Sequence, residues 1–286
     1  MRRENTSSPR KCARATRWSA TSSSAARRKL GADLRRAPRS SRLTPLVEHA
    51  PPLWRRLIAR LDPRAYLTIH IVGGLIVCLL AAWLFEILID SVREHDVLVR
   101  RDQALADWFH INGTPLGYRI NVFISLLGSP PAMAVLFAAA MLYLWRAKQR
   151  TLMVAWALSY IGGTVLDGVM KEVVRRPRPE FAARFLHINS WSFPSGHSMG
   201  SLIGFAMLAY TIIRVRQIRN IGAQIGIWTA ATVMIALVGY SRIYLAVHYL
   251  SDVVAGYTLG VLWLAVCFTG LQMVNRRAEL RRAPST

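Results

Sequence analysis

Leu152–Met170 reads LMVAWALSYIGGTVLDGVM, and Lys171–Pro179 reads KEVVRRPRP. The first stretch is apolar all round rather than along one stripe. At about 1.5 Å rise per residue it is long enough to cross a hydrocarbon core of about 30 Å. It therefore predicts a membrane-spanning helix that ends abruptly in cations and prolines. Charges held at membrane depth are costly, so residues kept at such an end are functional candidates.

Outward from this segment, five further apolar stretches occupy about 66–89, 122–145, 197–213, 221–240 and 249–273. Together with 152–170 they predict an all-α fold, a bundle of six transmembrane helices over residues 64–275. Gly73-Gly74 and Gly162-Gly163 suit close helix contacts in such a bundle. Composition agrees. Hydrophobic residues make up 53%, charged residues 18% and mean hydropathy is +0.27, which excludes a disordered chain and argues against a soluble globule. Cys12, Cys78 and Cys267 form no close pair, which excludes a disulfide framework; Cys78 and Cys267 read as small core residues.

The net charge of +22 must then be segregated from the apolar segments. Residues 1–64 hold 17 Lys/Arg and 4 Asp/Glu. Residues 1–60, rich in Arg and Ser and punctuated by Pro, are expected to be a basic, largely disordered cytoplasmic arm. The first 30 residues contain no apolar core of a secretory signal. A transit peptide or a nucleic-acid-binding arm remains an alternative to a juxtamembrane polybasic segment, and no specific nucleic-acid partner is expected. With the arm inside, segments 1–64, 146–150, 214–219 and 276–282 carry +13, +3, +3 and +3, the whole net charge. The positive-inside rule thus puts both termini, including the basic tail 276–286, in the cytoplasm of a plasma (inner) membrane protein. Two sizeable outer loops remain. Residues 91–121 contain an expected amphipathic helix, Asp102–His110, with Leu105, Trp108 and Phe109 toward the membrane surface. Residues 171–196 are the other.

The outer ends of the last four spans carry the chemistry. Lys171, Arg178 and Arg242 form a cationic cage, and the Arg fork matches phosphate oxygens bidentately. Pro177 and Pro179 break the helix, so Arg178 can turn back toward Lys171. Ser195-Gly196 open span four, where free N–H groups and a positive dipole end favour an anion. His248 and Asp252, four apart, are expected to share a helix face, the carboxylate holding one imidazole nitrogen as N–H and leaving the other as a nucleophile. His197 then remains to protonate a leaving oxygen.

Lys171-x6-Arg178-Pro179, Pro194-Ser195-Gly196-His197 and Ser241-Arg242-x5-His248-x3-Asp252 resemble, in order and complete, the three signature motifs of the type 2 phosphatidic acid phosphatase (PAP2) superfamily. That superfamily also includes vanadium haloperoxidases, which are soluble and so fit six spans poorly. The resemblance implies a metal-independent phosphatase, without cofactor, working through a phosphohistidine on His248. It makes His197 the general acid and Asp252 the residue that orients His248. Lys171, Arg178, Ser195, Gly196 and Arg242 would bind phosphate, with Arg176 a further candidate because similar proteins often carry Arg-Pro-Arg-Pro.

The expected substrate is a membrane lipid phosphate or diphosphate in the outer leaflet: phosphatidic acid, phosphatidylglycerol phosphate or an undecaprenyl-type diphosphate. The alternatives are a lipid phosphotransferase using the same site and a catalytically idle lipid-binding protein. Arg175, Arg176 and Arg184 have a plain reading as loop or headgroup cations. Asp167, one turn before Lys171, is expected to be its ion-pair partner, while Trp191 and Phe193 read as interfacial anchors.

Overall fold

The structure, a computed structural model, describes residues 63–94, 96–180 and 190–280. The arm expected over 1–60, Arg184 and the end of the tail lie outside the described residues. Every regular element among the described residues is a helix: α1 Pro63–Arg93, α2 Val97–Asn112, α3 Pro115–Leu127, α4 Pro130–Arg146, α5 Arg150–Val174, α6 Gly196–Val215, α7 Ile221–Tyr244 and α8 Leu250–Leu280. Six segments are long and apolar enough to cross a membrane: α1 from Ile71, α3 with α4, α5, α6, α7 and the first part of α8. The protein is a multi-pass membrane protein of all-α class.

Short polar caps set the boundaries. The side chains of Thr114, Ser129, Ser195 and Asn220 each accept from a backbone N–H in the first turn of α3, α4, α6 and α7. One cap corrects the expected continuous span 122–145. Gly128 ends α3, Ser129 caps α4, and Pro130 supplies a first-turn residue that needs no hydrogen-bond acceptor. The span is thus two helices meeting at a Gly-Ser-Pro break.

The core is filled by Trp156, Leu144, Phe193, Met199, Ile203 and Met207, with Leu259 from α8. Large apolar side chains on the outer faces, such as Leu79, Trp83, Val135 and Ile225, are exposed, as a lipid-facing surface requires. The start of α8 packs closely on the start of α6. A Cβ on Gly256 would lie 2.5 Å from the carbonyl oxygen of Ser195, so only glycine lets α8 approach the start of α6. The Ser195 N–H donates to the Asp252 carbonyl at 2.9 Å across the same contact. Of the glycine pairs, Gly74, Gly162 and Gly163 lie under Thr269, Trp263 and Ile203, while Gly73 meets nothing.

Phe193 departs from its expected interfacial role. It is fully buried and packs on Phe85 of α1, with centroids 5.7 Å apart, whereas Trp191 remains exposed. The helix expected at Asp102–His110 is part of α2. Trp108 is exposed there, while Phe109 packs on Tyr240 and Tyr244 of α7.

Candidate active site

A cavity of about 660 Å³ opens between α3, α4, α5, α6 and the α7–α8 turn. Lys171, Arg178, Gly196, His197, Arg242 and His248 line it. So do Tyr118, Leu126, Met133, Tyr160 and Ile203. Lys171, Arg178, Arg242 and both histidines therefore meet in one space that also has large apolar and aromatic side chains in its walls.

Each side chain reaches the cavity by a local device. α5 stops at Val174 because Arg175 adopts a left-handed conformation, φ 50°, and its N–H bonds to the Lys171 carbonyl. Lys171 is consequently on the last turn of α5, paired with Asp167 one turn earlier as expected. Arg178 turns inward but not onto Lys171. It donates to the carbonyls of Ser190 at 2.8 Å and Val247 at 3.0 Å, and to Nε2 of His248 at 3.0 Å. Arg242, on the last turns of α7, is 2% exposed and donates to the Ser125 hydroxyl, while its buried Nε has no hydrogen-bond partner. Neither Arg178 nor Arg242 is ion-paired with a carboxylate among the described residues. Buried polar groups left unpaired are rare, and a buried Arg242 beside a half-buried Arg178, neither ion-paired with a carboxylate, suits an anion.

The first turn of α6 completes that site. Helix N-termini leave backbone N–H groups without intrahelical partners, and Gly196 and His197, the first two residues of α6, line the cavity. A Cβ on Gly196 would sit 2.9 Å from Asp167 and 3.1 Å from the Lys171 ammonium, so glycine lets the lysine reach this helix end. Ser195 contributes differently from expectation. It does not line the cavity; its hydroxyl caps α6 and its N–H is used on Asp252.

His248 is not on α8, which begins at Leu250, so the expected shared helix face is replaced by a tight turn. The turn bonds back onto the end of α7, with Val247 N–H donating to the Arg242 carbonyl at 3.2 Å. Nδ1 of His248 nonetheless lies 3.5 Å from Asp252 Oδ2 and 3.4 Å from the Ser192 hydroxyl. A guanidinium can only donate, so Nε2, facing Arg178, carries the lone pair and Nδ1 carries the hydrogen. Burial pushes the imidazole down to about 3; the Asp252 hydrogen bond opposes this, and Arg178 and Arg242 reinforce it. His248 is thus neutral, with its lone pair toward the cavity. That is the state required of a nucleophile.

Asp252 is fully buried and held from several sides. Oδ2 accepts from Tyr249 N–H at 2.9 Å, the return bond of a helix-capping carboxylate, and from the Ser192 hydroxyl. Oδ1 accepts from Arg176 at 2.6 Å. Arg176, a candidate phosphate binder in the sequence, is thus placed on carboxylates. Its guanidinium is shared between Asp252 and Asp102 and stacks on Tyr249, and it does not line the cavity. Asp102, Ser125 and Ser192 were not among the sequence candidates. Asp102 was legible only as a carboxylate at the start of the expected amphipathic segment; Ser125 and Ser192 carry no signal. No group of three or more His, Cys, Asp or Glu able to hold a metal occurs among the described residues.

Comparison with known proteins agrees with this geometry. Residues 152–276 match the model of the PAP2 superfamily. Phosphatidylglycerophosphatase B of Bacillus subtilis is 39% identical over 98 residues, covering 34% of this chain and 47% of that protein. Undecaprenyl-diphosphatase of Sulfolobus acidocaldarius is 26% identical over 146 residues, covering 49% of this chain and 64% of its own length. The chain thus spans less than two thirds of the length of these relatives. The crystal structure of a transmembrane PAP2-type phosphatidylglycerolphosphate phosphatase from Bacillus subtilis superposes with a TM-score of 0.58 at 27% identity, covering 70% of this chain and 96% of that one. Residues 152–276, the part of the chain similar to the PAP2 superfamily, hold all three motifs, from Lys171 to Asp252.

Proposed function

We propose that the protein is an integral membrane phosphatase acting on lipid phosphates or diphosphates through a phosphohistidine on His248. The observation that carries this reading is Arg242, a buried guanidinium without a carboxylate partner, beside a neutral histidine whose lone pair faces the same cavity. The apolar side chains in the cavity wall, such as Leu126, Met133 and Ile203, support a substrate whose phosphate is attached to a hydrocarbon chain. The activities printed in the names of the relatives point the same way: a phosphatidylglycerophosphatase and an undecaprenyl-diphosphatase.

The reaction follows in two balanced steps. The Nε2 lone pair of His248 forms the N–P bond as the P–O bond to the lipid breaks, and the leaving oxygen takes a proton from His197. Water then attacks phosphorus, giving its proton to His197 while the N–P bond breaks and its electrons return to Nε2. Lys171, Arg178, Arg242 and the N–H groups of Gly196 and His197 stabilise charge on the phosphoryl oxygens, and Asp252 orients His248.

The charge distribution supports cytoplasmic termini and an active site on the extracytoplasmic face, so the substrate would be drawn from the outer leaflet. Phosphatidic acid, phosphatidylglycerol phosphate and undecaprenyl-type diphosphate are the candidates. Phosphate release by purified, detergent-solubilised protein across these three lipids tests the reading. Turnover of at least one is expected, and release from none would overturn it.

A further inference from the structure

Behind His248, on the side away from the cavity, three charged side chains from three parts of the chain are packed out of solvent. Asp102 of α2, Arg176 of the segment after α5 and Asp252 of α8 are 3%, 6% and 0% exposed. Arg176 bridges the two carboxylates, donating to Asp252 Oδ1 at 2.6 Å and Asp102 Oδ2 at 2.9 Å. Ser251 ties the arrangement to the start of α8. Its N–H donates to Asp102 Oδ1 at 3.2 Å, its hydroxyl donates to Asp102 Oδ2, and that hydroxyl accepts from Arg176 at 2.7 Å.

We propose that Asp102 is a positioning residue for His248, acting through Arg176 and Asp252. The inference rests on the phosphatase reading above and extends it to α2, which is not one of the six apolar segments. The argument is one of charge balance. Bonded to Arg176 alone, Asp252 would be half of a neutral ion pair and a poor partner for a cation. With Asp102 sharing the same guanidinium, two carboxylates face one cation, and one negative charge remains in surplus beside the Nδ1–H of His248.

That surplus matters little while the imidazole is neutral. It matters when the N–P bond forms, because the ring spends its lone pair on phosphorus, keeps its Nδ1 hydrogen and becomes a cation. An interaction that strengthens only as charge develops lowers the barrier without tightening ground-state binding. Asp102 does not line the cavity, so it has no direct contact through which to alter substrate binding. A purely structural strut between α2 and α8 would instead change stability and leave turnover per folded molecule alone.

The test is steady-state and single-turnover kinetics of full-length protein in detergent, with phosphatidic acid or whichever candidate lipid the wild type hydrolyses. Asp102→Asn should lower kcat and the rate of His248 phosphorylation about tenfold to a hundredfold, as expected for a group that tunes a reacting side chain from behind. KM should stay within about threefold, and Asp102→Glu, which keeps the charge, should recover part of the loss. Arg176→Lys keeps its charge but replaces the fork, whose two nitrogens reach Asp252 and Asp102 separately, with a single donor atom, and a fall in kcat at unchanged KM is expected of it should Asp102→Asn fail to fold. Unchanged kcat in a folded variant, a change in KM alone, or Asp102→Glu no better than Asp102→Asn would overturn the inference. A wild type that hydrolyses none of the lipids counts against the phosphatase reading instead.

Discussion

The guanidinium of Arg178 donates to Nε2 of His248 across 3.0 Å, and this contact fixes which nitrogen of the buried histidine bears the lone pair. It also places the cation proposed to hold the phosphate against the atom proposed to attack it. Burial and the opposing Asp252 and Asp167 carboxylates act on Arg178 itself, burial being the largest and lowering its proton affinity. Arg178→Ala should therefore damage catalysis more than binding. A kcat loss on the order of 10²–10³, by analogy with one preorganised oxyanion donor, is expected, with only partial rescue by Lys. Steady-state kinetics with phosphatidic acid checks this; a pure KM effect would remove Arg178 from the catalytic machinery.

Arg242 gives the complementary prediction. Its hydroxyl partner, Ser125, neutralises no charge, so the guanidinium is available to an anion. Arg242→Ala should cost kcat on the order of 10²–10³, whereas Ser125→Ala should cost much less because the charge survives. Equal losses in the two variants would mean that Arg242 works mainly as a structural tie to α3.

The pH dependence of stability follows from His248. Its imidazole is pushed from 6.5 to about 3 in the folded protein. Between those values the unfolded chain binds the proton and the folded one does not, so the contribution is present above pH 6.5 and lost as pH falls through that window. Thermal unfolding in detergent from pH 7 to pH 4 should show wild type losing stability relative to His248→Gln. Parallel curves for the two proteins would contradict the burial argument.

Sidedness is accessible to labelling. Asn112 is the last residue of α2, on the active-site side of the proposed topology, and Gln217 lies between α6 and α7. In a background with Cys12, Cys78 and Cys267 replaced by Ser, Asn112→Cys should react with a membrane-impermeant thiol reagent in intact cells. Gln217→Cys should not. The reverse pattern would move the active site to the cytoplasmic face.

What the sequence reveals and what it hides follow from chain distance. The six spans are written as apolar runs, and Lys171, His197, Arg242 and His248 sit at their ends in recognisable spacing, so both fold class and cavity lining are legible. The expected Lys171–Asp167 pair is also local, one helical turn apart. Asp102 meets Ser251 across 149 positions, Ser125 meets Arg242 across 117, and Ser192 meets Asp252 across 60. No periodicity carries such pairings, and serine is too common to stand out. Arg176 misleads for a related reason. Its motif neighbours point toward phosphate, while the carboxylate that takes its second nitrogen comes from α2, 74 positions earlier. The helix-face argument for His248 and Asp252 gives the right partners by the wrong geometry, because the turn after Tyr244, not a continuous helix, brings them together.

The central claim is that His248 carries the phosphoryl group. Its most direct test is to quench turnover of ³²P-labelled lipid phosphate under alkaline conditions, which avoid acid cleavage of the N–P bond, and to measure protein-bound label. Wild type should be labelled at His248, and His248→Ala should carry no label and release no phosphate. Label retained elsewhere in His248→Ala, or substantial turnover by that variant, would contradict the account.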